Sequence, residues 1–310
     1  MASYSCFTTN DTAFLFPGKW FTIVVSTEIT PMTFPVPTLD HVVINVRDRI
    51  DEGAETYRRL GFTLTPRGYH TLGSMNHLAM FGTDYLELIA APAGSTQRPE
   101  ILGAPEGLNG LVFGTEDAAA THFAMHRSGV PVHPPEEFSR PVALPVGTKD
   151  AVFRTVRLLP GMAPAGRLYF CQHLTRDLVW RDEWRHHANG ATAVVRAVIA
   201  ARDPSDLGTL FSRMFGPEAV RPIENGRALT VGAARFDIVT PETLGSLYGE
   251  AAPEGGGRET YMAALEFRTR SLDAAWGAME RGGVKGARRD AERVVVPASE
   301  AFGATLAFCP

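Results

Sequence analysis

Three cysteines in 310 residues, Cys6, Cys171 and Cys309, are too few, too scattered and odd in number to build a disulfide framework, and no CxxC occurs. That usage points to a reducing, cytoplasmic setting. No basic run or Lys/Arg stripe is present, and with a net charge of −4 and a pI of 6.2 nucleic acid is not an expected partner. No uninterrupted apolar run is long enough to cross a bilayer, so no membrane partner is expected either. GxGxxG after a strand, GxxxxGK, GxSxG and HExxH are all missing, which removes the common nucleotide, nucleophilic-serine and zincin signatures. No histidine follows His187.

What is present is a chain with 45% hydrophobic and 21% charged residues, enough to bury a large core. Its length suits two domains or one large one. The first thirty or so residues differ from the rest. Ala13 to Val25 reads AFLFPGKWFTIVV, but Pro17 and Lys19 interrupt it and no basic segment precedes it, so it makes a poor signal peptide. Met32 stands directly before the organised region. Residues 1–31 are expected to be an upstream extension with a natural start at Met32, the alternative being an N-terminal arm that packs on the domain.

From residue 39 onward one pattern recurs. Unit one has an alternating strand, Leu39 to Val46, then a helix from Arg49 to Leu60 stopped by Gly61. Strands follow at Phe62–Pro66, Asn76–Phe81 and Tyr85–Ala90. Unit two has a strand at Asn109–Thr115, a helix from Glu116 to Ser128, a proline-rich edge over Val130–Pro145, and strands at Ala151–Leu159 and Arg167–His173. Unit three has Ala193–Ala200, a helix from Asp203 to Phe215 with an Asp-Pro start, and a strand pair at Arg227–Val231 and Arg235–Thr240. Gly245–Gly257 reads as a low-complexity linker. Unit four has Tyr261–Arg268, a helix over Leu272–Arg281, and strands at Arg293–Pro297 and Thr305–Cys309. The spacing, roughly seventy to eighty-five residues, is too long for a solenoid and fits modules paired into sheets, two per domain. The boundary is expected near Asn189, giving domains over 36–189 and 190–310 after an N-terminal segment over 1–35.

LDHVVINVRD at the start, LGF at Leu60–Phe62, DYLELIA at Asp84–Ala90, and FCQHLTRDLVW followed by HHANGA resemble the vicinal oxygen chelate superfamily, and more closely its glyoxalase-like branch. The resemblance implies an α+β fold: four βαβββ modules paired into two curved, U-shaped mixed sheets flanked by helices. It also implies a divalent metal in the cup, held by residues of the first and last strands of a module and chelated by neighbouring oxygens of a small-molecule substrate. Fold membership leaves the reaction open.

On that pattern the first strand offers His41 and the last offers Glu87. Strand alternation turns Leu86 and Leu88 away from Glu87, so Glu87 is a carboxylate aimed off an apolar strand. Such a group, if buried, needs a cation or else becomes neutral. The plainer readings are a solvent-facing Glu87 and a His41 bonded to backbone. Aligning the units puts Gly110 at the position of His41 and Phe170 at that of Glu87, so unit two supplies no ligand there. The third ligand is expected from His77 or His173. Two imidazoles and a carboxylate suit Fe, Mn, Ni or Zn without choosing among them. Glu87 is also the expected catalytic carboxylate, and Asn45 shares the face of His41.

Trp180 and Trp184, four apart, read as a lid whose Arg176, Arg181 and Arg185 grip a carboxylate or phosphate, or equally as an amphipathic inter-domain helix. Arg176 and Trp180 are the expected substrate contacts from this segment. Cys171 reads as a small buried hydrophobe, and His186 and His187 as exposed loop residues. The C-terminal half has only Arg196, Arg235 and Glu266 as strand charges on a concave face, hence no metal site, and its expected roles are structural pairing, pocket closure or homodimer contact. The chain is therefore expected to be a metal-dependent lyase, isomerase or dioxygenase. The alternatives are a metal-free binder of the bleomycin-resistance type and a scaffold built on degenerate repeats.

Overall fold

Strand, helix and paired strands recur four times in the computed structural model, which describes residues 34–310. The expected start at Met32 and the extension over residues 1–31 lie outside the described residues. The first module is β1 (Leu39–Asn45), α1 (Ile50–Arg59), β2 (Gly68–Tyr69), β3 (Met75–Met80) and β4 (Tyr85–Ala90). A short helix, α2 (Pro99–Gly103), leads to the second: β5 (Gly107–Gly114), α3 (Ala118–Arg127), β6 (Glu136–Ala143), β7 (Thr148–Arg157) and β8 (Arg167–His173). The third is β9 (Ala191–Ala201), α4 (Pro204–Phe215), β10 (Val220–Ile223), β11 (Gly226–Val231) and β12 (Ala234–Val239), followed by α5 (Pro241–Tyr248). The fourth is β13 (Thr260–Thr269), α6 (Leu272–Arg281), β14 (Arg288–Arg289), β15 (Val294–Val296) and β16 (Thr305–Cys309).

Two eight-stranded mixed sheets result, in the orders β2-β3-β4-β1-β5-β8-β7-β6 and β10-β11-β12-β9-β13-β16-β15-β14. Each module pairs its first and last strands in parallel, and two modules meet antiparallel along β1–β5 and β9–β13. This is the α+β arrangement of curved sheets that the sequence implied. The first sheet nearly closes into a barrel: the Thr71 N–H donates to the Ser139 carbonyl at 2.9 Å and the Ser139 N–H to Thr71 Oγ1 at 3.2 Å, which ties its two ends together. Among the described residues no helix is long and apolar enough to cross a membrane.

The helices form where their apolar positions recur every three or four residues. In α1, Ile50, Gly53, Ala54 and Tyr57 are the buried ones. Asp203 caps α4 by accepting from the Ser205 N–H, with Pro204 in the first turn. The outward faces of both sheets and their helices share one core rich in phenylalanine, in which Phe113 lies within 6 Å of Phe170, Phe215 and Phe236. Each concave face has its own apolar cluster.

Two segments differ from the sequence reading. Phe62–Pro66 is not a strand; the chain there joins no ladder, and β2 is only Gly68–Tyr69. The supposed linker begins inside α5, whose Leu244 and Tyr248 are buried in the concave face of the second sheet against Val198, Ala200 and Val239. Thr240 caps that helix through the Thr243 N–H. The second cup is thus filled by its own chain, and among the described residues no such helix enters the first.

Candidate active site

The concave face of the first sheet holds a cavity of about 660 Å³. Parallel pairing of β1 with β4 sets Val43 beside Glu87 and His41 beside Tyr85, and antiparallel pairing sets Leu78 beside Glu87. His41, Tyr85, Glu87 and Leu78 therefore share the face that lines the cavity. His41 Nε2 and Glu87 Oε2 stand 3.6 Å apart, both side chains under one-tenth exposed. The His41 ring stacks on Tyr85 with centroids 4.4 Å apart.

Asp40, which regular alternation would turn away, is brought to the same side. The register with β5 shifts between Leu39 and His41, and this bulge re-aims the side chain. Asp40 Oδ1 then meets His41 Nδ1 at 2.5 Å and His173 Nε2 at 3.1 Å. Burial opposes the charge of Asp40, but the two imidazoles outweigh it and hold the carboxyl far below its ordinary range. An ionised Asp40 accepts the His41 Nδ1–H and leaves Nε2 as the ring atom facing the cavity. Carboxylates hold ligating histidines in this way, fixing tautomer and ring orientation together.

Tyr169 completes the arrangement, its hydroxyl 3.1 Å from His41 Nε2. Burial pushes its phenol well above the ordinary value, so it is a neutral donor. Pairing of β5 with β8 begins at Gly110–Arg167 and that of β1 with β4 at His41–Tyr85, so Tyr169 is the structural counterpart of Glu87. The sequence alignment gave Phe170; that residue is one step off and lies in the outward core. Gly110 does occupy the place of His41. A Cβ there would stand 2.9 Å from the Val43 side chain, so no ligand fits without moving β1.

Glu87 Oε1 accepts from Asn76 Nδ2 at 2.7 Å, and the same amide lies 3.2 Å from His70 Nε2. Burial works against the Glu87 charge; His41, His70, the Asn76 bond and Arg167 more than offset it and keep the carboxyl below its ordinary value. His70 is itself lowered to about 4, chiefly by burial.

The other expected residues lie elsewhere. His77 is on the opposite face of β3, paired with Leu88, its Nδ1 held 2.8 Å from the Thr65 carbonyl. Strand period puts it out of reach of Glu87. His173 binds Asp40 rather than the cavity, so the expected second imidazole is not there; the imidazole near Glu87 is that of His70, which reaches it through Asn76. Asn45 is buried and donates to the carbonyls of Ile101 and Pro105, tying down the loop around α2. The Trp180 segment is two short turns rather than one helix. Arg176 stacks over Trp180 at 3.5 Å, Trp180 packs edge-on against Tyr85 and His173, and neither lines the cavity. Arg181 bonds the Ala143 carbonyl and Glu183, and Arg185 bonds Asp182. His187 is not an exposed loop residue: it takes the Thr63 N–H on Nδ1, gives Nε2–H to the Met80 carbonyl, and sits against Phe62 and Phe81.

The donors fit a divalent ion. Two ligand atoms about 2.1 Å from one ion stand about 3–4 Å apart, which the His41–Glu87 spacing of 3.6 Å satisfies. Tyr169 Oη is the third atom within reach of that position. Asp40, Cys171 and His173 also form a group whose ligand atoms lie within 4.8 Å of one another. Its Asp40 is already committed to two imidazoles, and burial pushes the Cys171 thiol far up, so this group serves as the support behind His41.

The sequence profile of the glyoxalase-like domain matches residues 39–215. No curated protein matches the sequence. Among solved structures, a hypothetical protein from Staphylococcus aureus superposes with a TM-score of 0.62 at 11% identity, covering 89% of this chain and 100% of that one. A xylose isomerase-like TIM barrel/4-hydroxyphenylpyruvate dioxygenase fusion protein gives 0.55 at 15% identity, over 96% of this chain and 51% of the fusion. A triple mutant of 4-hydroxymandelate synthase from Streptomyces coelicolor gives 0.50 at 12% identity, over 88% and 92%. At such identities the likeness is one of fold. With the domain match spanning more than half of its length, and with paired βαβββ modules cupping His41 and Glu87, the chain belongs to the glyoxalase-like family of the vicinal oxygen chelate superfamily.

Proposed function

We propose that this protein is a metal-dependent enzyme acting on a small molecule with neighbouring oxygens, through lyase, isomerase or dioxygenase chemistry in the N-terminal sheet. The observation that carries this reading is the buried pair of His41 Nε2 and Glu87 Oε2, 3.6 Å apart at the wall of an open cavity. His41 and Glu87 would hold the ion, with Tyr169 beside them, and the ion when bound supplies a Lewis acid to a substrate oxygen. The chain does the rest. Asp40 orients the imidazole, and Asn76 fixes one oxygen of Glu87 so that the other faces the cavity. Tyr169, kept neutral by burial, holds a proton within reach of the reacting oxygen. Leu78, Phe138 and Phe153 make the neighbouring wall apolar and exclude water.

Metal analysis of tag-free protein tests this. The pair His122, half-buried, and His126, exposed, on α3, rings 4.6 Å apart, offers a second place for a transition metal, so the measurement belongs in a His126→Ala background. Near-stoichiometric metal is expected, lost in His41→Ala and Glu87→Gln, and bound about 10–100-fold more weakly in Asp40→Asn. Metal content that these substitutions leave unchanged would overturn the reading. The second reading, a metal-free binder, is favoured by the completeness of the hydrogen bonds: Tyr169 and Asn76 already engage His41 and Glu87. It predicts ligand binding that chelators do not alter.

A further inference from the structure

The cavity wall carries four arginines. Two are spoken for: Arg98 pairs with Glu100 at 2.5 Å, and Arg157 with Glu136 at 2.7 Å. Arg140 and Arg167 are not. Neither guanidinium makes a hydrogen bond or ion pair among the described residues, and Arg140 Nε, Arg167 Nε and Arg167 Nη2 are buried donors with no acceptor. Arg140 is only 6% exposed although it stands on β6, next to the seam where the first sheet closes. Gly68 on β2 makes the room: a Cβ there would lie 3.0 Å from Arg140 Cδ and closer still to the Asn76 amide oxygen. With the two internal pairs set aside, two guanidiniums face the single carboxylate of Glu87, which the proposed metal already neutralises. Buried donors without acceptors cost free energy, and a protein that keeps three of them in one cavity has a use for an anion there.

We propose that Arg140 and Arg167 form the subsite for an anionic end of the substrate, a carboxylate or phosphate group on a small molecule whose neighbouring oxygens face His41 and Glu87. This rests on the metal-site reading for the placement of the oxygens and on the orphaned guanidiniums alone for the charge. A guanidinium presents paired N–H donors that match a carboxylate or a phosphate. Phe138, Phe153 and Leu78 supply an apolar wall for the body of the ligand.

The probes are benzoate, phenyl phosphate and phenol, then 3,4-dihydroxybenzoate against catechol, titrated calorimetrically into the full chain. Benzoate or phenyl phosphate is expected to bind at least tenfold more tightly than phenol, and whichever of the two wins identifies the anion. 3,4-Dihydroxybenzoate is expected to beat catechol by a similar factor. Arg140→Gln and Arg167→Gln should each remove most of that preference, and Arg140→Lys should keep part of it. Because an orphaned charge is being removed, Arg140→Gln is expected to melt no lower than the parent. Equal binding of charged and neutral probes, no anion binding at millimolar concentration, or a preference that survives the double Gln variant would each overturn the subsite. Glu87→Gln and the double Gln variant separate the two readings: metal retained in Glu87→Gln with the benzoate preference intact overturns the metal site alone, and a preference that survives the double Gln variant while Glu87→Gln still loses its metal overturns the anion subsite alone.

Discussion

At the scale of single residues, burial has moved two titrations in opposite directions. Asp84 is raised to about 7, by burial against the pull of the Val194 N–H that its carboxylate accepts across the two sheets. Folded protein therefore holds that proton while unfolded chain has released it, and stability falls as pH rises from about 4 through 7. His187 is lowered to about 4, chiefly by burial, with Nδ1 already accepting from Thr63. Here the unfolded chain binds the extra proton, so stability is complete above the ordinary histidine value and is lost as pH falls toward 4. His70 adds to the second slope. The two effects oppose each other over the same window. Asp84→Asn keeps an acceptor for Val194 and removes the first slope, so urea unfolding of that variant is expected to show stability rising more steeply between about pH 4 and 6.5, by a few kcal/mol. His187→Gln in a His70→Asn background should leave a stability that falls with pH instead. A flat profile in both variants would contradict these assignments.

At the scale of elements, α5 decides which cup is open. Leu244 is 1% exposed within the second concave face, where Tyr248 reaches Glu266 at 2.6 Å. Leu244→Ala is expected to cost about 2–5 kcal/mol in chemical denaturation, while leaving metal and anion binding in the first sheet unchanged per folded molecule. Strands and helices with strong periodicity were plain in the sequence: Tyr85–Ala90, Arg167–His173, Leu272–Arg281 and Thr305–Cys309 lie where alternation and helical spacing put them. His41 and Glu87 meet for the same reason, since both follow regular pleats. What was not legible depends on irregularity. Asp40 reaches the site only through a bulge that alternation cannot foresee, although its place next to His41 was a signal to be had. Tyr169 was hidden by a one-residue slip in register, which exchanges the two faces of a strand. His77 was misplaced by reading its strand without its partner, and α5 was obscured by glycines that suggested a linker.

At the scale of the molecule, the two halves answer the same problem differently. The pairing of β9 with β12 puts Arg196 at the place of His41 and Asp237 at that of Glu87. Arg196 bonds Asp237 at 2.8 Å and Glu266 at 3.1 Å, and Arg235 adds a second contact to the fully buried Asp237. A guanidinium stands where the other half would hold an ion. Arg196→Ala removes the cation shared by Asp237 and Glu266, leaving them Arg235 and Tyr248, and is expected to destabilise the protein by about 1–3 kcal/mol, most of it recovered when Asp237 is replaced by Asn in the same chain. Thermal unfolding of the single and double variants measures this directly, and a double variant no better than the single would break the account.

The arginine at that centre has a practical consequence. A covalently tethered cation cannot be diluted away, stripped by a chelator or exchanged for the wrong element, so the C-terminal sheet stays assembled whatever the ionic supply of the cell. If the N-terminal sheet holds the proposed ion, starvation for metal is expected to empty that lobe while the C-terminal one stays folded, leaving an apoprotein ready to be reloaded.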